Sequence, residues 1–257
     1  MEYLSWQRQG NVAEVILDRP PANALANEVI SELDLLLDEL ENEPNVRVVL
    51  IYGKGRFFSA GADIKEFATV KDGKKFSSLA SHGQQVFNRI EHFSKPVIAA
   101  IHGAALGGGL ELAMSCHIRL VTENNKLGLP ELSLGLVPGF AGSQRLPRYV
   151  GTGKAAEMLF TSEPISGSEA VQWGLANDVC KEEELLPRAR ELAAKIAKKS
   201  PLSLKAAIEL LNYSKQGDFQ KGMEKEAEWF GKVFESKDGQ EGIKAFIEKR
   251  APVFKGE

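Results

Sequence analysis

The chain has 257 residues, with 32 Lys and Arg against 35 Asp and Glu, so its net charge of −3 offers no general attraction for nucleic acid. This length can bury one large core, or one domain with an appendage, and no run approaches the ~18 apolar residues of a membrane span. Residues 1–8 show no basic region before an apolar run and the last residues carry no lipidation or peroxisomal signal, while two cysteines, Cys116 and Cys180, cannot build a disulfide framework; a reducing, cytoplasmic setting is expected.

Strand and helix patterns alternate in chain order. Val12–Leu17 reads as a strand. Asn27 stands where it can cap a helix whose apolar positions Val29, Leu33, Leu36 and Leu40 fall on one face, and Pro44 stops it. Residues 46–52 are apolar apart from Arg47, the pattern of a strand buried on both faces. A second helix carries Phe76, Leu79, Gly83, Val86, Ile90 and Phe93 on one stripe. Pro96 opens a strand at Val97–Ile101, a glycine-rich turn follows, and residues 118–121 read as a further strand. After about Leu146 helical patterns dominate. Ser200 and Pro201 form an N-cap and N1 pair, and residues 219–234 and 240–249 suggest two more helices. These elements describe an α/β body to about residue 195 and a helical tail beyond it; periodicity alone does not choose the fold.

Three segments could carry chemistry. The first is His102-Gly103-Ala104-Ala105-Leu106-Gly107-Gly108-Gly109-Leu110-Glu111, which follows a strand and opens a helix. Consecutive glycines let backbone or ligand approach closely, and free N–H groups at a helix N-terminus suit a phosphate or a developing oxyanion; a tight strand–helix junction without a ligand would look the same. It is neither a P-loop, since Gly109 and Leu110 stand where Lys and Ser or Thr are required, nor a dinucleotide fingerprint, since Leu112 ends it. The second is Phe58-Ser59-Ala60-Gly61-Ala62-Asp63-Ile64-Lys65. Phe57 stands where a nucleophile elbow needs glycine, so a Ser59 nucleophile is not expected. The third places Glu131 among apolar residues and glycines, between Pro130 and Leu132. Glu111 lies in a similar apolar context. A carboxylate so placed has a raised pKa suited to proton transfer, although a paired or surface glutamate remains the alternative for each. Together they suggest acid–base chemistry at one site, if the fold joins them. The histidines, His82, His92, His102 and His117, show no metal-ligand spacing, and no metal site is expected. Cys116 reads as a core thiol.

Taken in order, Asp18-Arg19-Pro20, Asn23-Ala24-Leu25, residues 59–65, 103–111, Pro130-Glu131, Pro138-Gly139 and Gln144-Arg145-Leu146 resemble the enoyl-CoA hydratases of the crotonase superfamily. The resemblance spans nearly the whole chain. It implies an α/β fold, a crotonase-type spiral of ββα units (1–195) with a C-terminal helical region that serves oligomerisation (196–257), and assembly as trimers or dimers of trimers. It implies an acyl-CoA thioester substrate whose carbonyl lies between the N–H groups of Ala62 and Gly108, an oxyanion hole. Glu111 and Glu131 would hold one water, Glu111 acting chiefly as base on it and Glu131 delivering a proton to the α-carbon, with the N–H of Gly139 helping to hold that water. Ala60, Lys65, Phe230 and Lys249 match positions that contact coenzyme A, the last two often reaching a neighbouring subunit's site; helix packing for Phe230 and a solvated charge for Lys249 are the alternatives. No metal or redox cofactor is implied, coenzyme A being part of the substrate.

Two departures from the family pattern stand out. His117 replaces an aspartate after the Cys of the glutamate helix. Phe140 opens Phe140-Ala141-Gly142-Ser143 where the family often reads Ala-Gly-Gly-Thr, close to the expected acyl pocket. The implied reaction is hydration of trans-2-enoyl-CoA to 3-hydroxyacyl-CoA, with fatty-acid β-oxidation as the default pathway. Double-bond isomerisation, which can run with Glu131 alone, is the alternative. An RNA-binding or assembly role is disfavoured, because Lys195, Lys198 and Lys199 form only a modest cluster without interleaved aromatics.

Overall fold

The computed structural model describes residues 1–67 and 72–257. Strands β1 (Leu4–Gln9) and β2 (Val12–Leu17) form an antiparallel hairpin turned at Gly10, whose φ of +60° suits a residue without a Cβ. The chain continues through α1 (Asn27–Glu41), β3 (Val48–Gly53), α2 (Ile64–Phe67), α3 (Gly73–Glu91), β4 (Val97–Ile101), β5 (Ala104–Leu106), α4 (Gly108–Ser115), β6 (Ile118–Thr122) and β7 (Lys126–Gly128). A 3-10 turn (Pro130–Leu134) precedes α5 (Gly142–Thr161), which kinks at Gly151, then α6 (Gly167–Gln172), β8 (Asp178–Cys180) and α7 (Glu182–Ala197). The tail is α8 (Pro201–Gln216), α9 (Phe219–Glu235) and α10 (Lys237–Ile247).

One sheet has the order β1-β2-β3-β4-β6-β8 and is parallel beyond the first hairpin; β5 and β7 pair as a second, small parallel sheet. The apolar run that follows Arg47 has its cause here. Val49 and Ile51 face the cluster built with α1, α3 and α4, while Val48 and Leu50 face Leu185, Ala189 and Ala193 of α7. Burial on both faces leaves no room for a polar alternation. One charge lies on the α7 side: Glu14 is buried, and both its oxygens accept from Arg190 at 2.8 Å, so the pair is neutralised within the fold.

Several local expectations change. Asn27 is the first helical residue of α1 and not its cap. Ala26 occupies the N-cap without a side-chain bond, and the Glu66 carboxylate from α2 accepts the Asn27 N–H at 3.0 Å instead. A distant carboxylate thus does the work of a local cap. The last helix begins at Lys237, before the expected 240, because Ser236 caps it by accepting the Gly239 N–H at 2.9 Å. Ser200 does cap α8, with Pro201 at N1. The division expected between 195 and 196 falls in the last turn of α7, whose Ala193 and Ala197 still pack on the sheet; the chain leaves the sheet after Ala197. Helices α9 and α10 leave Phe219, Phe230, Phe234, Phe246 and Ile247 exposed, Phe230 by 77% and Phe246 by 85%. Among the described residues, no helix is long and apolar enough to cross a membrane.

Candidate active site

After β3 the chain crosses the small sheet. Ser59 N–H donates to the Ala104 carbonyl and Leu106 N–H to the Ser59 carbonyl, both at 3.1 Å. The Ser59 hydroxyl is buried and donates to the Asn23 carbonyl at 2.7 Å, a structural role with no catalytic base beside it. His102 is structural too, with Nε2 2.9 Å from the Gly55 carbonyl. The carbonyl of Gly61 accepts the Leu25 N–H at 2.8 Å, which ties the segment 59–62 to the start of α1.

This crossing lays Ala62 beside the first turn of α4. A Cβ on Gly108 would stand 3.4 Å from the Ala62 nitrogen. Gly107, at φ +49°, caps α4, and the first-turn N–H groups have no partner inside the helix. Among the described residues, neither the Ala62 N–H nor the Gly108 N–H has an acceptor. Two N–H groups without acceptors thus belong to neighbouring segments, with the Phe140 ring beside Gly108.

Ala62 and Gly108 both line a cavity of about 450 Å³. Its walls come from α1 (Ile30), α3 (Leu79, Ala80, Gln84), the small-residue segments (Ala60, Gly61, Ala62, Gly107, Gly108) and the stretch 130–140. Glu111 and Glu131, twenty positions apart in sequence, both line it. Helix α4 and the 3-10 turn bring them there, joined through β6 and β7.

The two carboxylates have different surroundings. Glu111 is 1% exposed, and its Oε1 accepts the N–H groups of Phe140 at 2.8 Å and Gly142 at 2.7 Å. Burial pushes its pKa up to about 7, the charge of Glu131 adds to the rise, and the two N–H groups and Arg145 hold it back. Burial likewise raises Glu131 above the usual carboxylate range, and its Oε2 is buried with no hydrogen-bond partner among the described residues. One group is thus poised near neutrality with its orientation fixed. The other has an oxygen without a protein partner in the same cavity.

The carboxylates crowd glycines 107 and 142. A Cβ on Gly107 would stand 2.9 Å from Glu131 Oε1, and one on Gly142 would stand 2.9 Å from Glu111 Oε1. Gly139 lines the cavity, and its carbonyl accepts from Gln84 Nε2 at 2.8 Å. Ala60 lines the cavity as well. Lys65, on α2, is exposed. Phe230 lies on α9 and Lys249 just past the end of α10, and neither is among the residues that line the cavity.

Phe140 does reach the cavity. Its ring packs edge-on to Phe87, with centroids 5.3 Å apart, and covers Gly83 and Gly108 so closely that a Cβ on Gly83 would overlap the ring. This explains a glycine on the apolar stripe of α3. His117 accepts the Val97 N–H through Nδ1 at 2.9 Å, and burial lowers its pKa to about 4, so it is a neutral structural residue. Cys116 is buried, its thiol pushed up to about 12, an inert core group. Gln84 and Glu91 are contributors that local sequence does not single out, and the roles of the Phe140 and Gly142 N–H groups and of the buried Arg145 behind them are not legible there. Among the described residues, no group of three or more His, Cys, Asp or Glu is placed to hold a metal ion.

The fold and the site describe the crotonase superfamily. The profile of the enoyl-CoA hydratase/isomerase family matches residues 7–257, and the chain belongs to that family. It is 56% identical over 247 residues, 96% of each chain, to a probable enoyl-CoA hydratase of Bacillus subtilis. It is 42% identical to a short-chain-enoyl-CoA hydratase of Clostridium acetobutylicum, over 95% of this chain and 94% of that one. The crystal structure of an enoyl-CoA hydratase from Bacillus anthracis superposes with a TM-score of 0.94 at 38% identity, covering 99% of this chain and 100% of that one.

Proposed function

We propose that this chain is an enoyl-CoA hydratase, adding water across the double bond of a trans-2-enoyl-CoA to give a 3-hydroxyacyl-CoA. The observation that carries the reading is the meeting, in one cavity, of two carboxylates with raised pKa and two N–H groups without acceptors. The names of the relatives support it.

The thioester oxygen accepts from the Ala62 and Gly108 N–H groups, which stabilise the enolate-like charge that develops as C3 is attacked. One such donor is typically worth about 10²–10³ in rate. Ionised Glu111 takes a proton from water, whose oxygen bonds to C3. Glu131 gives a proton to C2, and the transfer between the carboxylates restores the starting state, the two titrating as a pair. The N–H of Gly139 helps to hold the water. The reaction calls for no metal or redox cofactor; coenzyme A is part of the substrate. Ala60 and Lys65 belong to its binding site. Phe230 and Lys249 join it from a neighbouring copy in a trimer or dimer of trimers, an assembly that would cover the aromatic faces of α9 and α10. A cytoplasmic enzyme of fatty-acid β-oxidation is the corresponding setting.

The test is loss of the ultraviolet band of the conjugated thioester with crotonyl-CoA and a longer trans-2-enoyl-CoA. Rapid loss in the wild type, crippled in both Glu111→Gln and Glu131→Gln, is expected. If Glu111→Gln keeps isomerase activity while hydration was never present, the isomerase reading takes over. No reaction despite measured binding of the CoA ester overturns the hydratase reading.

A further inference from the structure

The turn 139–142 is tied down from three helices. From α3, Gln84 donates to the Gly139 carbonyl at 2.8 Å. From α4, Glu111 accepts the N–H groups of Phe140 and Gly142. From α5, Arg145 Nη1 donates to the Phe140 carbonyl at 2.9 Å. Between these ties Ala141 sits at φ +71°, a left-handed conformation that costs a residue with a Cβ and persists only where its surroundings hold it.

Arg145 is 1% exposed, among the largest fully buried side chains. Its Nε donates to Glu91 Oε2 at 3.0 Å and its Nη2 to Asn88 Oδ1 at 2.5 Å, both on α3. Glu91 is buried as well, and takes Arg148 Nη1 at 3.1 Å and Lys215 Nζ at 3.1 Å, the latter from α8. Three cations converge on Glu91. Of these, Arg145 alone continues to the turn.

We propose that Arg145, anchored by Glu91, is a positioning residue that locks the turn 140–142 onto Glu111 and thereby sets the proton affinity of the base. The proposal rests on the hydratase reading above. The charges that weigh on Glu111 are Glu131 from the 3-10 turn and Arg145 from α5; α2 adds Glu66 to the wall of the same cavity, while α3 contributes uncharged Gln84 to the turn and turns Glu91 toward Arg145. The two N–H bonds and the guanidinium favour the ionised carboxylate; burial and Glu131 oppose it. Removing Arg145 withdraws a positive charge and frees a strained turn, so Glu111 holds its proton more tightly.

The experiment compares Arg145→Gln, Arg145→Lys and Arg148→Gln. Arg148→Gln takes a cation from the same Glu91 without touching the turn, and so reports purely structural loss. The readouts are thermal stability, kcat and KM against pH with crotonyl-CoA, and the titration of the Glu111 carboxyl carbon by NMR in the protein alone. For Arg145→Gln, kcat at neutral pH should fall about tenfold to a hundredfold, the scale of a misplaced catalytic group, with KM little changed. Its acid limb and the Glu111 titration should move together to higher pH, and alkaline pH should recover part of the rate. Arg145→Lys keeps the charge but cannot bridge Glu91, Asn88 and Phe140 at once, and should fall between. Arg148→Gln should lose stability with both pH readouts unmoved. An unmoved Glu111 titration in folded Arg145→Gln, or an equal shift in Arg148→Gln, overturns the proposal. If Arg145→Gln does not fold, Arg145→Lys decides by the same readouts. If the wild type does not hydrate crotonyl-CoA, the functional reading fails alone, and the carboxyl titration still decides the role of Arg145.

Discussion

Replacing Glu111 by Gln should abolish activity and yet make the folded protein more stable in alkaline solution. The amide keeps the size of the side chain and an oxygen able to accept the Phe140 and Gly142 N–H groups. What it removes is the charge. In the unfolded chain this glutamate loses its proton near 4.5, whereas burial in the folded chain delays the loss to about 7. Between those values the folded state binds more protons than the unfolded state, so stability falls as pH rises. The full difference corresponds to about 3 kcal/mol once pH is well above 7. At roughly 2–4 °C per kcal/mol for a chain of this size, Glu111→Gln should melt several degrees above wild type at pH 8.5. The two melting temperatures should converge toward pH 5. Scanning calorimetry of both proteins at the two pH values is the assay, with hydration rates expected to drop by about 10²–10⁴. A melting difference that does not change with pH would refute the reasoning, because it would mean that Glu111 carries no buried-charge penalty.

Wild-type kcat/KM should lose about tenfold for each pH unit below an inflection near 7, since Glu111 must be ionised to take a proton from water; a profile flat down to pH 5.5 would assign the base elsewhere. Gly108→Ala puts a Cβ 3.2 Å from the Phe140 ring and 3.4 Å from the Ala62 nitrogen, and kcat should fall by about 10²–10³ through the crowded oxyanion gap. Phe140→Ala should cost about 2–3 kcal/mol by chemical denaturation and raise the kcat/KM of a longer enoyl-CoA relative to crotonyl-CoA. Gly83→Ala should be badly tolerated in wild type and well tolerated beside Phe140→Ala, and additive losses would show that ring and glycine are not coupled. Phe230→Asp with Phe246→Asp should yield a smaller particle in analytical ultracentrifugation if the exposed faces of α9 and α10 are subunit contacts.

The larger elements were legible because their burial pattern is regular. Residues 46–52 read as a doubly buried strand because both sheet faces are covered. Strands β5, β7 and β8 span three residues each, too short for periodicity to register, and they were missed together with β1. The apolar neighbours of Glu111 correctly forecast its burial within a helix. That it shares a cavity with Glu131 depends on the route through β6 and β7, and the roles of the two came from family resemblance. The cap of α1 was misassigned because its acceptor, Glu66, is remote in sequence. Arg145 enters the sequence reading only within the family motif Gln144-Arg145-Leu146, which says nothing of its role, and nothing local marks Glu91: an arginine in a helix usually faces water, and here an ion pair between α3 and α5 accompanies its burial. Gly83 falls on the apolar stripe in the sequence, and the reason for a glycine there is a phenylalanine ring from a later turn.

Residues 107–109 are hemmed in by three unrelated neighbours: the Glu131 carboxylate at 107, the Phe140 ring at 108, and the Ser59 backbone at 109. No single compensating change elsewhere could relieve all three. A side chain added at any of the three positions therefore disturbs a different part of the site. Leu79, Ala80, Leu136 and Val137 line the same cavity from α3 and from the stretch before the turn. Substitutions along those walls can reshape the room for the acyl group while leaving the crowded junction untouched.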